Sequence, residues 1–189
     1  MKNNKDLTIN LAAPLQEDSI LDGEGIRTVI WTQGCAHNCP FCHNPSTHSF
    51  DPALVKTTKE VKKELDHLKG QSGITFSGGD PIYQLDAVLD MAKYAKTIGL
   101  NIWLYTGFTY EEVLKMTNGK ELLKTIDVLV DSLFVNELRS LDLPYRGSSN
   151  QRIIDTKESI KKGKIVLIDK LMHKKNTKPL YEKPSNIFV

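Results

Sequence analysis

Short apolar runs along the chain, several of them closed by glycine, predict β-strands. They lie at residues 7–11, 28–33, 74–77, 100–105 and 127–130, with weaker candidates at 153–154 and 164–168. Runs of this length that contain β-branched and aromatic residues, bounded by turn residues, are typical of strands buried in a sheet.

Amphipathic helices are predicted between these strands. Apolar residues share one helical face from Leu54 to Leu68, and residues 85–95 repeat them at the i, i+3, i+4 spacing of a helix behind Pro81. Two helices also begin with threonine and glutamate at the spacing of a capping box, Thr57 with Glu60 and Thr109 with Glu112. A short lysine-rich helical stretch lies between the two weaker strands.

Strands that alternate with helices predict an α/β fold with a parallel sheet and right-handed crossovers. In such folds ligands gather at the carboxyl ends of the strands. Four unusual segments follow predicted strand ends: residues 35–42, residues 77–81, residues 105–107 and Asp131. We therefore expect them to converge on one rim of the sheet.

Composition describes an ordinary single domain. The chain has 189 residues, of which 40% are hydrophobic and 25% charged, and its net charge is +2. No apolar run approaches the length that crosses a bilayer, and residues 1–15 lack the apolar core of a signal sequence. We expect a cytoplasmic protein without a membrane partner.

Charge divides the chain into a core, residues 1–155, and a basic C-terminal extension, residues 156–189. The extension holds nine lysines and three acidic residues, a net charge of +6, which leaves −4 for the core. Such a tail can meet nucleic acid, an acidic partner or only solvent. With only Tyr181 and Phe188 as aromatic residues, it gives little support to a nucleic-acid surface, and its role is left unassigned.

Candidate chemistry centres on the three cysteines of the chain, Cys35, Cys39 and Cys42, which lie within eight residues. Ordinary [4Fe–4S] electron carriers use four cysteines. Three thiolates in one loop can hold three corners of such a cluster and leave the fourth iron open to a substrate. The count therefore favours chemistry over electron storage.

Other interpretations of this loop remain open at this point. Cys39 and Cys42 form a C-x-x-C that suits a redox dithiol or, with His43, attachment of a c-type haem in an exported protein. Structural zinc needs a fourth ligand, which His37 or His43 could provide. A disulfide would leave one thiol unpaired and would suit an oxidising compartment.

The cysteine run, together with Gly-Gly-Asp-Pro at residues 78–81, resembles the radical S-adenosylmethionine enzymes. More narrowly, the chain resembles the anaerobic ribonucleoside-triphosphate reductase activating enzymes over about residues 8–155. The segments that resemble this narrower family are residues 22–28, 34–45, 76–81, 103–107, 127–131 and 145–152.

This resemblance implies a fold, two cofactors and a partner. The fold is an incomplete (β/α) barrel whose open side admits a macromolecule. A [4Fe–4S] cluster is held by Cys35, Cys39 and Cys42, and its open iron binds the amino and carboxylate groups of S-adenosylmethionine. One electron, from a flavodoxin- or ferredoxin-like donor, cleaves that molecule to methionine and a 5′-deoxyadenosyl radical. The radical takes a hydrogen atom from a glycine of the partner, an anaerobic ribonucleoside-triphosphate reductase.

The resemblance also implies cofactor-binding residues around Cys42. Phe41 would pack near the adenine, and His43 would contact the nucleoside or tune the cluster. The methionyl ammonium would be bound by the segment Gly78, Gly79 and Asp80. Asp80 stands where the wider superfamily more often has glutamate, so the backbone is the alternative contact.

The remaining implied contacts are with the ribose hydroxyls or the methionyl carboxylate. They fall to Thr106 and Asp131, although either residue could equally cap a strand end. Leu133 occupies a position where similar activases often have lysine. No mechanistic role is derived for Arg27 or for residues 145–152.

Three alternative functions stay open. The chain could activate another glycyl-radical enzyme, such as pyruvate formate-lyase. It could also be a zinc-stabilised binding module, or a plain electron-transfer protein.

Overall fold

Eight strands and six α-helices form the part of the chain that the computed structural model describes, residues 6–172. The strands are β1 (Thr8–Leu11), β2 (Gln16–Ser19), β3 (Arg27–Thr32), β4 (Leu54–Thr57), β5 (Gly73–Gly78), β6 (Asn101–Tyr105), β7 (Val128–Asp131) and β8 (Arg152–Asp155). The helices are α1 (Thr58–Leu65), α2 (Leu85–Thr97), α3 (Tyr110–Lys115), α4 (Gly119–Thr125), α5 (Thr156–Lys162) and α6 (Asp169–Met172).

All eight strands belong to one mixed sheet. Its order is β4-β1-β3-β5-β6-β7-β8, and β2 pairs with β3 beside β1. The four central strands, β3, β5, β6 and β7, are mutually parallel, while β1, β2, β4 and β8 pair antiparallel with their neighbours. The α/β class is confirmed. The parallel sheet that the sequence predicts is present only in the four central strands, because both edges are built from antiparallel strands.

Local sequence signals place most helices correctly. Both predicted capping boxes are present: the hydroxyl of Thr57 accepts from the amide of Glu60, and that of Thr109 accepts from the amide of Glu112. The predicted helical face wrongly included Leu54. That residue lies in β4, opposite Leu11 of β1, so the helix begins only after Thr57. In the weak strand candidate 164–168, Leu167 forms an isolated bridge with Ile154.

Arg27 is buried at the amino ends of the parallel strands. It is 0% exposed, and its guanidinium donates to the hydroxyl of Thr75 (2.7 Å) and to the carbonyls of Ile74 (2.5 Å) and Asn101 (3.0 Å). Burial lowers the pKa of Arg27 to about 10. Since β3, β5 and β6 begin here, Arg27 holds the amino ends of the three strands together. These ends lie opposite the strand ends that carry the cysteine loop, residues 35–44.

The described part of the basic extension packs on the core. Thr156 is fully buried and donates its hydroxyl to the carbonyl of Ile126 (2.6 Å), and Leu171 of α6 is buried in the same apolar cluster as Trp103. Residues 173–189 of the predicted extension lie outside the described residues. None of the helices within residues 6–172 combines the length and apolar character needed to span a bilayer.

Candidate functional site

A cavity of about 670 Å³ opens at the carboxyl ends of the parallel strands. A volume of this size is typical of small-molecule and cofactor sites. Its wall includes the cysteine loop after β3, the Gly78–Asp80 segment after β5, Thr106 and Gly107 after β6, and Ser132 after β7. The parallel register thus brings together segments that lie about a hundred residues apart in the chain.

The cysteine loop leaves β3 at Gly34, whose φ of +105° favours glycine. The Gly34 amide donates to the carbonyl of Thr47 (2.8 Å), and the Cys35 amide donates to the carbonyl of His48 (3.1 Å). Both acceptors belong to a single 3₁₀ turn and its end, Pro45–Thr47 and His48. The loop is therefore closed at its base by the chain that follows it.

All three thiols, those of Cys35, Cys39 and Cys42, are half-buried and line the cavity. Burial raises the pKa of the Cys35 and Cys39 thiols, and the negative charges of Asp80 and of the neighbouring thiolates raise both further. The amide of Asn44 approaches the sulfur of Cys42 at 3.4 Å. Within residues 6–172, no three His, Cys, Asp or Glu side chains form a ready site for a single metal ion.

This donor set fits an iron–sulfur cluster. Three soft sulfur ligands share one cavity wall, and their mutual repulsion when ionised is what bound iron would relieve. In a [4Fe–4S] cluster each cysteine holds a different iron. Cys35, Cys39 and Cys42 are the residues that would hold it.

Glycine is required at positions 78 and 79 because the end of β5 lies against the backbone of the cysteine loop. A Cβ on Gly78, whose φ is +110°, would lie 2.5 Å from backbone atoms of Thr32, and one on Gly79 would lie 2.5 Å from the carbonyl oxygen of Gly34. The amides of Gly79 and Asp80 donate to the carbonyls of Thr32 (2.7 Å) and Gly34 (2.9 Å). These two amides hold the segment against β3 and the start of the cysteine loop. An ammonium only donates hydrogen bonds, so backbone carbonyl oxygens are the main-chain groups of this segment that can bind one.

The carboxylate of Asp80 is buried and fully engaged. Its Oδ2 accepts from Nε2 of His37 (2.8 Å), the hydroxyl of Thr106 (2.8 Å) and the amide of Gly107 (2.9 Å), and its Oδ1 accepts from the amide of Ile82 (2.9 Å). The Thr106 hydroxyl thus donates to Asp80. A direct ligand contact by either side chain stays a prediction.

Asp131 lies behind the cavity and is absent from its wall. The side chain is 0% exposed, and Arg152 binds both of its oxygens, with Nε 2.9 Å from Oδ1 and Nη2 2.5 Å from Oδ2. The amide of Tyr110 also donates to Oδ2 (2.7 Å). Hydrogen bonds with Asp131 and Glu111 raise the pKa of Arg152 above its ordinary value. The predicted contact of Asp131 with a ligand stays a prediction, and its present contacts are those of a strand-end brace.

Phe41 and His43 flank Cys42 but occupy different surroundings. Phe41 has a φ of +58°, is 76% exposed and does not belong to the cavity wall. His43 lines the cavity and packs against Phe134, with ring centroids 4.9 Å apart. Of the two predicted nucleoside contacts, His43 is the one that already faces the cavity.

Sequence reasoning missed two residues. His37 was considered only as a zinc ligand, yet it is the partner of Asp80. Arg146 is 8% exposed and donates to the carbonyls of Gln151 (2.7 Å) and Met172 (2.5 Å), which links the cavity wall to the end of α6. The only sequence signal for Arg146 was its place in residues 145–152, a segment to which no role was given.

Comparison with known proteins also indicates an iron–sulfur cluster site. Residues 21–154 match the family model described as "4Fe-4S single cluster domain". The chain is similar to the anaerobic ribonucleoside-triphosphate reductase-activating protein of Vibrio cholerae serotype O1, with 37% identity over 142 residues, or 71% of this chain and 90% of that protein. The proteins of the same name from Escherichia coli K12 (34% identity, 70% and 90% covered) and Enterobacteria phage T4 (32%, 70% and 86%) are also similar.

Proposed function

The chain belongs to the 4Fe–4S single cluster domain family and to the anaerobic ribonucleoside-triphosphate reductase-activating proteins, and we propose the function that follows from this membership. It is an enzyme that activates an anaerobic ribonucleoside-triphosphate reductase by forming a glycyl radical on it. The observation that carries this proposal is the meeting of three cysteine thiols and the Gly78–Asp80 segment in one cavity.

The cavity provides for two cofactors. Cys35, Cys39 and Cys42 would hold a [4Fe–4S] cluster and leave one iron open for S-adenosylmethionine. When bound and reduced by one electron, the two would supply a 5′-deoxyadenosyl radical, with methionine as the other product, and the radical would take a hydrogen atom from a glycine Cα of the reductase. A flavodoxin- or ferredoxin-like protein is the electron donor we propose.

The chain itself orients the cofactor. Carbonyl oxygens of Gly78 and Gly79 would accept from the methionyl ammonium, since an ammonium only donates and these carbonyls lie at the cavity wall. His43, which faces the cavity beside Phe134, would contact the nucleoside, and Phe41 would fold over the adenine from the loop tip. Thr106 lies in the cavity wall and would contact the ribose hydroxyls or the methionyl carboxylate, whereas Asp131 would support the wall from behind.

A macromolecular substrate suits the mouth of this cavity. Three of the residues that contribute to its wall are strongly exposed apolar side chains: Ile20 (66%), Leu21 (78%) and Leu141 (89%). Exposed apolar side chains beside an open cavity are typical of a protein-binding site. We propose that the glycine-bearing segment of the reductase covers them and excludes water from the radical. The four parallel strands would then be the core of an incomplete (β/α) barrel, open on this side.

Anaerobic reconstitution tests the proposal. The wild-type protein, reduced with S-adenosylmethionine, should release 5′-deoxyadenosine, and addition of the reductase should give the electron paramagnetic resonance doublet of a glycyl radical. Cys39→Ala should abolish both signals. Stoichiometric zinc without acid-labile sulfide would overturn the proposal, and a radical on pyruvate formate-lyase but not on the reductase would replace the partner.

A further inference from the structure

Asp80 joins three loops that the sequence keeps apart. Its side chain is 1% exposed and lies between the cysteine loop after β3, its own turn after β5 and the Thr106–Gly107 segment after β6. Four donors reach its two oxygens. Nε2 of His37 comes from the cysteine loop, the amide of Ile82 from the turn, and the hydroxyl of Thr106 and the amide of Gly107 from the loop after β6. A carboxylate accepting this many bonds is held firmly in one place.

His37 is the contribution of the cysteine loop to this network. It lies between Cys35 and Cys39 in the chain, and its ring packs edge-on against Phe108 with centroids 4.6 Å apart. A Cβ on Gly107 would lie 2.6 Å from the ring of His37. The ring of His37 is thus bonded to the carboxylate of Asp80, and it fits only because position 107 is a glycine without a side chain.

Few other interactions fix the conformation of the middle of the cysteine loop. Residues 35–44 contain no strand or helix, and two of them, Asn38 (φ +48°) and Phe41 (φ +58°), adopt the left-handed backbone that L-residues rarely use. Backbone bonds at Gly34 and Cys35 fix the base of the loop, and a local bond from the Cys42 amide to the Cys39 carbonyl (3.2 Å) closes its tip without tying it to the rest of the fold. The His37 side chain fixes the part that follows.

We propose that the His37–Asp80 pair is a positioning device for the cluster. It holds the cysteine loop so that the three thiols face one space. The inference rests on the proposed function in one respect, that the thiols hold a cluster. His37, whose Nε2 is bonded to Asp80, is then a positioning residue that acts through the loop.

An aspartate side chain has the length that this network needs at position 80. Oδ1 of Asp80 accepts from the amide of Ile82, two residues later, and so begins the 3₁₀ turn Pro81–Gln84. Aspartate makes this short local bond readily, whereas the extra methylene of glutamate moves the carboxylate away from it.

Two pairs of variants test the proposal. His37→Gln places an amide nitrogen near the position of Nε2, and His37→Asn, a matched control of similar polarity, cannot reach Asp80. Asp80→Glu keeps the charge but disturbs the local bond, while the remote, exposed His67→Gln controls for loss of a histidine. Each protein is reconstituted anaerobically, and its iron release to a chelator is timed without S-adenosylmethionine. Thermal unfolding of the cluster-free forms reports whether each variant folds.

We expect His37→Asn and Asp80→Glu to release iron about tenfold faster than wild type, the factor expected for one lost hydrogen bond to a charged group. His37→Gln and His67→Gln should stay within about threefold. The spectrum of the reduced cluster should change in His37→Asn and be restored in His37→Gln. Equal release rates for His37→Asn and wild type would overturn the inference, as would an Asp80→Glu protein with wild-type iron release. Failure of the wild type to take up a cluster would instead overturn the proposed function.

Discussion

Replacement of Asp131 tests whether this carboxylate supports the fold or contacts a ligand. The structure buries it completely and surrounds it with the guanidinium of Arg152 and the amide of Tyr110, the first residue of α3. We therefore expect Asp131→Asn to destabilise the cluster-free protein, because the neutral amide loses the ion pair and places a donor group beside Arg152.

The magnitude follows from the surroundings of the pair. Breaking a fully buried ion pair costs about 3–5 kcal/mol, and one hydrogen bond to a charged group contributes about 1.5–3 kcal/mol. Arg152 is 27% exposed and keeps Glu111 as a partner, so we expect the lower range, about 2–3 kcal/mol. For a chain of this length that corresponds to a fall in Tm of about 4–12 °C.

The assay is thermal and urea unfolding of the cluster-free protein, followed by circular dichroism. Glu111→Gln is the matched control: it removes the other carboxylate that binds Arg152, but that side chain is 53% exposed, so the loss should stay below about 1 kcal/mol. An unchanged Tm for Asp131→Asn, together with weaker binding of S-adenosylmethionine, would refute the structural role and assign the carboxylate to the ligand.

Three further substitutions test the packing around the site. Arg27→Lys should destabilise the chain by about 3 kcal/mol in urea unfolding, because one ammonium cannot replace a guanidinium that binds two neighbouring strands; wild-type stability would contradict this. Gly78→Ala should cost about 1–3 kcal/mol more than Gly70→Ala in the same assay, because both positions have positive φ but only a Cβ at 78 would lie 2.5 Å from the backbone of Thr32; equal losses would exclude the close approach as the cause. Burial raises the pKa of Asp127, but hydrogen bonds from two lysine ammonium groups and a backbone amide outweigh it and hold this pKa below its ordinary value. The resulting stability is present above the unfolded pKa of about 4 and is lost as pH falls through the folded pKa, so Asp127→Asn should cost about 1–3 kcal/mol at pH 7 and progressively less as the pH is lowered below about 4; a loss independent of pH would contradict the assignment.

Local signals were sufficient for many elements of this fold. The Thr57 and Thr109 capping boxes begin their helices as predicted, because both partners lie within four residues of each other. The order of strands and helices also predicted the α/β class, and it led to the expectation that the segments after several strands meet at the carboxyl ends of those strands. The cavity lies at these strand ends.

The edges of the sheet could not be read from the same patterns. Leu54 fits a helical face and a strand equally well, and only its pairing with Leu11 decides for the strand. A pattern of apolar residues indicates which positions of a segment are buried. It does not indicate which neighbouring strand satisfies the backbone hydrogen bonds of that segment.

The chemistry of the site divides in the same way. The cysteine spacing and Gly78-Gly79 identified the cluster loop and its neighbour from sequence alone, since thiolate ligands and side-chain-free backbone are properties of the residue types themselves. The partners of buried charges came only from the fold: Asp80 meets His37 from 43 positions away, and Arg27 meets Thr75 from 48. A buried charge must be satisfied by whatever group the packing brings to it, and no local pattern specifies that group.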